Sequence, residues 1–233
     1  MIAVIVPAHN EADTIARCLE SVAVAAAHPR LWGEAVLVVV ALDDCSDDTA
    51  GVCAGYGVAM VVINDRCVGA ARAAAAEHAL ALGARWIAST DADTTVPSDW
   101  LWKQSSCSAD AFCGVVDVVE WLDYPQAVQA EFFRREEAED GHGHIHGANM
   151  GFSASAYRAA GGFAMLPTGE DVALVDALMG NDAVIARLAE PKVATSARRV
   201  SKAPHGFSSF LRALECEVIG AGTALTPVPM PSR

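Results

Sequence analysis

Trp86-Ile-Ala-Ser-Thr-Asp91-Ala-Asp93 is a short apolar run that stops at two carboxylates one residue apart. The run reads as a strand and the stop as its carboxyl end. Residues i and i+2 of an extended chain point to the same side. Where the strand gives way to a turn, Asp91 and Asp93 are therefore placed to share one hard cation. The plain alternative is a solvated turn, since Asp-x-Asp recurs by chance. The flanking sequence decides between the two.

Upstream, Ile2-Ala-Val-Ile-Val-Pro7 is a β-branched run. It is followed by a helix from Glu11 to Val22, with Ile15, Cys18, Leu19 and Val22 at helical spacing. Ala35 to Leu42 is apolar throughout, as a strand buried on both faces must be. It ends at Asp43-Asp44-Cys45-Ser46-Asp47-Asp48-Thr49, where Ser46 or Asp47 can cap the next helix. Val58 to Ile63 is a third strand, followed by Asn64-Asp65-Arg66-Cys67-Val68-Gly69 and an alanine-rich helix from about Ala70 to Leu82. Strands alternating with helices predict an α/β fold with a mostly parallel sheet, whose ligands lie beyond the carboxyl ends of the strands. Those ends carry Asn10 and Glu11, Asp43 and Asp44, Asn64 and Arg66, and Asp91 and Asp93. Turn residues alone would be Gly, Asn and Ser as often as acids, so this convergence favours a metal-assisted site over a solvated turn.

Downstream the pattern is less regular. Ala111 to Val119 reads as a strand, Gln126 to about Ala138 as a charged amphipathic helix, and Gly147 to Ser153 as another strand. Ser155 to Ala160 begins a helix that stops at Gly161-Gly162. Gly169-Glu170-Asp171 precedes a helix from Val172 to Met179, and Ala183 to Leu188 is the last expected strand. With 233 residues, no internal repeat and no low-complexity linker, a single domain is the expectation.

The composition, 53% hydrophobic and 19% charged, suits a large buried sheet and excludes disorder. A net charge of −13 argues against a nucleic-acid partner, because phosphate backbones are held by surplus Lys and Arg. Yet between Ala186 and Leu214 the residues Arg187, Lys192, Arg198, Arg199, Lys202 and Arg212 stand against Glu190 alone. The seven cysteines form no Cys-x-x-Cys pair, as expected of scattered thiols in a reducing cytoplasm. No segment shows the roughly 18 unbroken apolar residues of a membrane span, and no leader pattern opens the chain. The expectation is a cytoplasmic protein, with peripheral membrane contact left open.

Neither Gly-x-Gly-x-x-Gly nor Gly-x-x-x-x-Gly-Lys occurs, so a phosphate ligand here would need a metal and cationic side chains. Arg66 and Arg72 flank Cys67-Val68-Gly69 and are candidates to meet such an anion, with Gly69 permitting close backbone approach; surface arginines are the alternative. Asp44, or Asp43 in its place, is a candidate acceptor for a nucleobase N–H. Of Glu170 and Asp171, acids favoured at a helix N-terminus in any case, one becomes a general base if the pair faces the acidic edge. His142, His144 and His146 alternate and so share a face; a polar loop leading into a strand is the preferred reading over a transition-metal site. His205 lies in the Gly/Pro-containing basic loop Arg198 to Gly206, read as a lid over an anion. Trp100, Trp102, Trp121 and Tyr124 offer faces to an acceptor, although buried aromatics are the commoner case.

Together, Ile5-Val-Pro7-Ala8-His-Asn10-Glu11, Asp43-Asp44-Cys-Ser46-Asp47-Asp48-Thr49, Arg66-x-x-Gly69-x-Ala71-Arg72, Asp91-Ala-Asp93, Gly147-Ala-Asn149 and Gly169-Glu170-Asp171 resemble the family 2 glycosyltransferases of GT-A fold, in that family's order, over about residues 1 to 180. The resemblance implies a Rossmann-like αβα sandwich, a nucleotide-diphospho-sugar donor with UDP-sugar favoured, Mg²⁺ or Mn²⁺, and sugar transfer to an acceptor of unknown kind. By position, Pro7, Ala8, Glu11 and Asp44 would line the nucleoside, with Asp44 reading the base. Asp91 would lie near ribose and metal, Asp93 on the metal, and Asp171, with Glu170 beside it, would be the catalytic base. The divisions implied are a nucleotide-binding half (1–95), an acceptor half (96–190) and a basic C-terminal loop and tail (191–233). The Gln-x-x-Arg-Trp signature of processive synthases is missing. The His205 loop is reminiscent of retaining GT-A enzymes, in which a late histidine completes the metal shell, so a retaining outcome stays open beside inversion. A nucleotidyltransferase and a non-catalytic nucleotide-sugar-binding module are the other readings.

Overall fold

The computed structural model describes residues 1–136, 138–200 and 206–224, with side chains as far as residue 220. The alternation expected in the first ninety residues is present: β1 (Ile2–Ala8), α1 (Ile15–Ala26), β2 (Val36–Asp43), α2 (Thr49–Gly55), β3 (Ala59–Ile63), α3 (Val68–Ala81) and β4 (Trp86–Ser89). After them come α4 (Trp100–Ser105), β5 (Ala111–Cys113), β6 (Val116–Val118), α5 (Gln126–Glu136), β7 (Met150–Ser153), α6 (Ala154–Ala159), α7 (Glu170–Gly180), β8 (Ile185–Arg187), β9 (Val193–Thr195) and α8 (Phe207–Ala224). Seven strands form one sheet in the order β3-β2-β1-β4-β7-β5-β8. Only β7 runs against its neighbours, pairing antiparallel with β4 and β5.

Strand periodicity divides the core between the two faces of the sheet. Ile2, Val4 and Val6 of β1 join Val40 and Leu42 of β2 beneath α1 and α4, where Ile15, Val22 and Trp100 close the layer. Ala3, Ile5, Val39 and Ala41 face the other way, onto Ala71, Ala75, Ala76 and Ala79 of α3 and Leu174, Val175 and Leu178 of α7. The alanines explain why a helix of weak amphipathic character sits on the sheet: without longer side chains its backbone approaches β1 and β2 closely. Each buried Val, Leu or Ile contributes about 1.5–3 kcal/mol, so β1, with Ile2, Val4, Ile5 and Val6 fully buried, is the most firmly held strand.

The apolar run at 111–119 departs from the single strand expected there. It breaks at Gly114, where the Asn149 side chain occupies the space that a Cβ would need. β5 stays in the main sheet, while β6 leaves it and pairs in parallel with β9 as a small second sheet. The region from 191, expected as loop and tail, carries β9 and α8. Phe207, Phe210, Leu211, Leu214 and Val218 recur at helical spacing and pack on Val128 and Phe132 of α5 and on Val118 of β6. Among the described residues no helix is long and apolar enough to cross a membrane.

Candidate active site

The parallel register makes the strand ends level: Ala8 pairs with Leu42, and Ile5 with Ser89. The residues just beyond therefore rim one cleft of about 550 Å³, whose lining includes Pro7, Glu11, Asp43, Asp91, Asp93 and Asp171. Ala8, Arg66 and Arg72 also border it. Residues from widely separated elements thus meet as a parallel sheet requires.

Asp43 is buried at the end of β2, and its carboxylate accepts the backbone N–H groups of Asp65, Arg66 and Cys67 at 2.8, 2.8 and 2.7 Å. It ties the turn after β3 to the sheet edge and leaves Oδ2 the less committed oxygen. Asp44, at φ +50°, turns outward to an exposed pair with Arg66 at 2.9 Å and does not border the cleft. Of the two acids, the geometry brings Asp43 to the site.

Arg72 is buried, and its guanidinium is shared by three partners. Nε donates to Glu170 at 3.0 Å, Nη1 to the Ser89 hydroxyl at 3.3 Å and Nη2 to Asp91 at 2.8 Å. Burial works against its charge, but Asp91 and Glu170 outweigh that and raise its pKa. The expected anion-binding arginine thus couples the turn after β4 to the start of α7. Gly147 is required beside it, because a Cβ there would collide with the Arg72 guanidinium. Gly69 likewise meets the backbone of Ala164 and Leu166, so the close approach foreseen for a ligand is made by this chain's own loop.

Glu170 is buried under Arg72. Burial raises its pKa, Arg72 opposes this, and Asp171 adds to the rise. Asp171 accepts the Gly147 N–H through Oδ2 at 2.8 Å and the Val172 N–H through Oδ1 at 2.8 Å, and among the described residues it forms no salt bridge. Both acids stand at the N-terminus of α7 after Gly169, whose φ of +76° turns the chain into the helix.

On the opposite rim, Arg198 binds both oxygens of Glu11 at 2.7 and 3.0 Å and lies 3.3 Å from Asp93. Burial pushes the Asp93 carboxyl up to about 6; Arg198 pulls it down, while Asp91 and Glu11 push it further up. The basic stretch of this acidic chain therefore delivers one cation directly onto the acid cluster.

Residues 3–159 match the profile of glycosyl transferase family 2. The chain belongs to that family. Solved structures of similar fold include Staphylococcus aureus TarS 1–349 in complex with UDP-GlcNAc, with TM-score 0.65 and 14% identity over 97% of this chain and 73% of that one. The mannosyltransferase PcManGT from Pyrobaculum calidifontis, in complex with GDP-Man and Mn²⁺, gives TM-score 0.58 and 18% identity over 98% and 76% of the two chains. Glucosyl-3-phosphoglycerate synthase from Mycobacterium tuberculosis, with Mn²⁺, UDP and phosphoglyceric acid, gives 0.60 and 17% over 99% and 80%. A comparison with curated proteins finds no match.

Within this family 2 glycosyltransferase, the acid cluster suits a hard divalent cation. Asp91, Asp93 and Glu11 offer only oxygens, and the Asp93 carboxyl, raised by burial first and by Asp91 and Glu11 in addition, is one whose charge a bound cation would favour. His205, the other expected ligand, lies outside the described residues, as does most of the expected lid.

The packing role of Asn149, read only as part of Gly147-Ala-Asn149, and the aromatics of α8 escaped the sequence reading. Asn149 donates to the carbonyls of Val115 and Pro191 at 2.8 and 2.9 Å and accepts the Trp100 indole N–H at 2.9 Å, knotting four segments beneath the cleft. Trp100 is accordingly buried, Trp102 stacks on His28, and Trp121 and Tyr124 pack in the α5–α8 cluster. The aromatic rings that do border the cleft are Phe207 and Phe210 of α8, with His9 just beyond β1 and His146. The helical spacing of Phe207, Phe210, Leu211 and Leu214 was the available signal.

Proposed function

We propose that this chain transfers a sugar from a nucleotide diphosphate donor, with UDP-sugar favoured, to an acceptor hydroxyl with inversion, Asp171 acting as general base. The observation that carries this is the contrast at the start of α7. Glu170 is buried and bound to Arg72, whereas Asp171 borders the cleft without a cationic partner among the described residues. A base must be able to accept a proton, and a carboxylate held by two backbone N–H groups keeps lone pairs for an acceptor hydroxyl.

Asp91 and Asp93 would hold Mg²⁺ or Mn²⁺, with His205 as a further ligand, and the bound ion would supply charge neutralisation to the departing diphosphate. Arg72 acts by fixing Asp91 and Glu170, not by touching the diphosphate. Arg198, now on Glu11 and Asp93, is the cleft-bordering guanidinium best suited to meet the anion once a cation relieves those acids. Asp43 takes the base-reading role first considered for Asp44, through its less committed Oδ2. UDP is favoured because TarS and the phosphoglycerate-linked synthase are complexed with uridine nucleotides, against GDP-Man for PcManGT. A nucleotidyltransferase is disfavoured by the acidic loop His9-Asn10-Glu11 after β1, where a triphosphate would need cations.

With water as surrogate acceptor, proton NMR of an α-linked UDP-sugar incubated with the protein and Mn²⁺ is expected to show the β-sugar first. Asp171→Asn should slow its release by about 10²-fold or more. Initial release of the α-sugar, or an unchanged rate in the variant, would overturn the assignment.

A further inference from the structure

The alternating histidines form a second constellation of metal-ligand type, chemically unlike the acid cluster. Glu136, at the end of α5, brings Oε2 to 3.2 Å from Nδ1 of His144 and 3.5 Å from Nε2 of His146. All three donor atoms lie within 4.8 Å of one another. Four-coordinate Zn²⁺ with bonds of about 2.0–2.1 Å places its ligands roughly 3.3 Å apart. Two edges of the triangle already have that length, and the third needs only a small inward movement.

Among the described residues, Glu136 Oε2 and His146 Nε2 are buried without a hydrogen-bond partner. The His144 and His146 rings stack at 5.9 Å and 15°, and the Arg187 guanidinium donates to the carbonyls of His142 and His144 at 3.5 and 3.4 Å. Two stacked imidazoles converging on a carboxylate are the mixed nitrogen-and-oxygen donor set that a borderline cation takes. His142 adds a third ring, 5.4 Å from that of His144. Its Nε2 donates to the Leu188 carbonyl at 3.1 Å, and among the described residues its buried Nδ1 has no hydrogen-bond partner.

We propose that Glu136, His144 and His146 bind one divalent cation of the zinc class, separate from the site of Asp91 and Asp93. Glu136 and His146 border the cleft, so the ion has a path in. His146 precedes Gly147, whose N–H is bound to Asp171, so the ion would pin the segment that steadies that carboxylate. The inference does not depend on the donor reading, because it predicts metal uptake without nucleotide.

Metal-free full-length protein titrated with Co²⁺ and with Zn²⁺, with bound metal counted by mass spectrometry, tests it. One equivalent is expected to remain in Asp93→Asn, where the acid cluster is disabled, and both that variant and wild type should show the visible Co²⁺ bands of a nitrogen-containing low-coordinate site that Zn²⁺ abolishes. His144→Ala and His146→Ala should lose the bands, and Glu136→Gln should weaken uptake about tenfold or more. Electron paramagnetic resonance of wild type with one equivalent of Cu²⁺ should show coupling to two imidazole nitrogens, a readout that needs no variant to fold. Absence of nitrogen coupling, or uptake lost in Asp93→Asn and retained in the histidine variants, would overturn the proposal.

Discussion

Arg72 is a cation enclosed by acids, and its energetics follow from desolvation. A buried ion pair gains little over apolar packing, but removal of one partner strands the other at a cost of about 3–5 kcal/mol. Arg72→Met should therefore lower the unfolding free energy measured in urea by that much, and adding Glu170→Gln should restore part of it. An additive double variant would mean that the 3.0 Å contact is not coupled. Glu34 supplies a milder case. Hydrogen bonds from Arg85, at 2.6 Å to each oxygen, hold its carboxyl below the ordinary value of 4.5. Because the folded-state value is the lower one, the pair contributes above pH 4.5 and is lost as the pH falls through the folded-state value. Wild type should exceed Glu34→Gln by about 0.2–1 kcal/mol at neutral pH, and thermal melts should converge in acid. A gap that widens below pH 4.5 would reverse the sign. At this scale the acids of the site were legible because they end strands. The partners of Arg72 and Arg198 were not, since Arg198 and Glu11 meet only through the fold.

At the scale of elements, α8 is the part the sequence reading missed. Its apolar positions have clear helical spacing, but the basic residues before it drew the segment into a loop. Leu211 is fully buried against α5 and β6. Leu211→Ala should cost about 2–5 kcal/mol in urea unfolding, whereas a cost within experimental error would mean that α8 is not part of the folded core. The strands β1, β2 and β4 were legible because strands covered on both faces must be apolar throughout, and β3, an edge strand with Val62 exposed, through its run of β-branched residues. The division of 111–119 was not, because apolar content cannot reveal that Asn149 takes the space beside Gly114 and sends β6 to a different sheet. The three-residue β9 leaves too little pattern to read.

For the whole molecule, the parallel sheet explains why residues from β1, β2, β4 and α7 share one cleft. Its crossover connections bring the carboxyl ends of the parallel strands to the same edge. The proposed division of labour gives donor and cation to Asp91 and Asp93 and the acceptor proton to Asp171, on either side of the Arg72 bridge. Calorimetric UDP binding in the presence of Mn²⁺, for wild type, Asp93→Asn and Asp171→Asn, tests that division without needing an acceptor. Wild-type affinity in Asp171→Asn together with at least a tenfold loss in Asp93→Asn is the expected result. Equal loss in both variants, or undiminished Mn²⁺-dependent binding in Asp93→Asn, would contradict it.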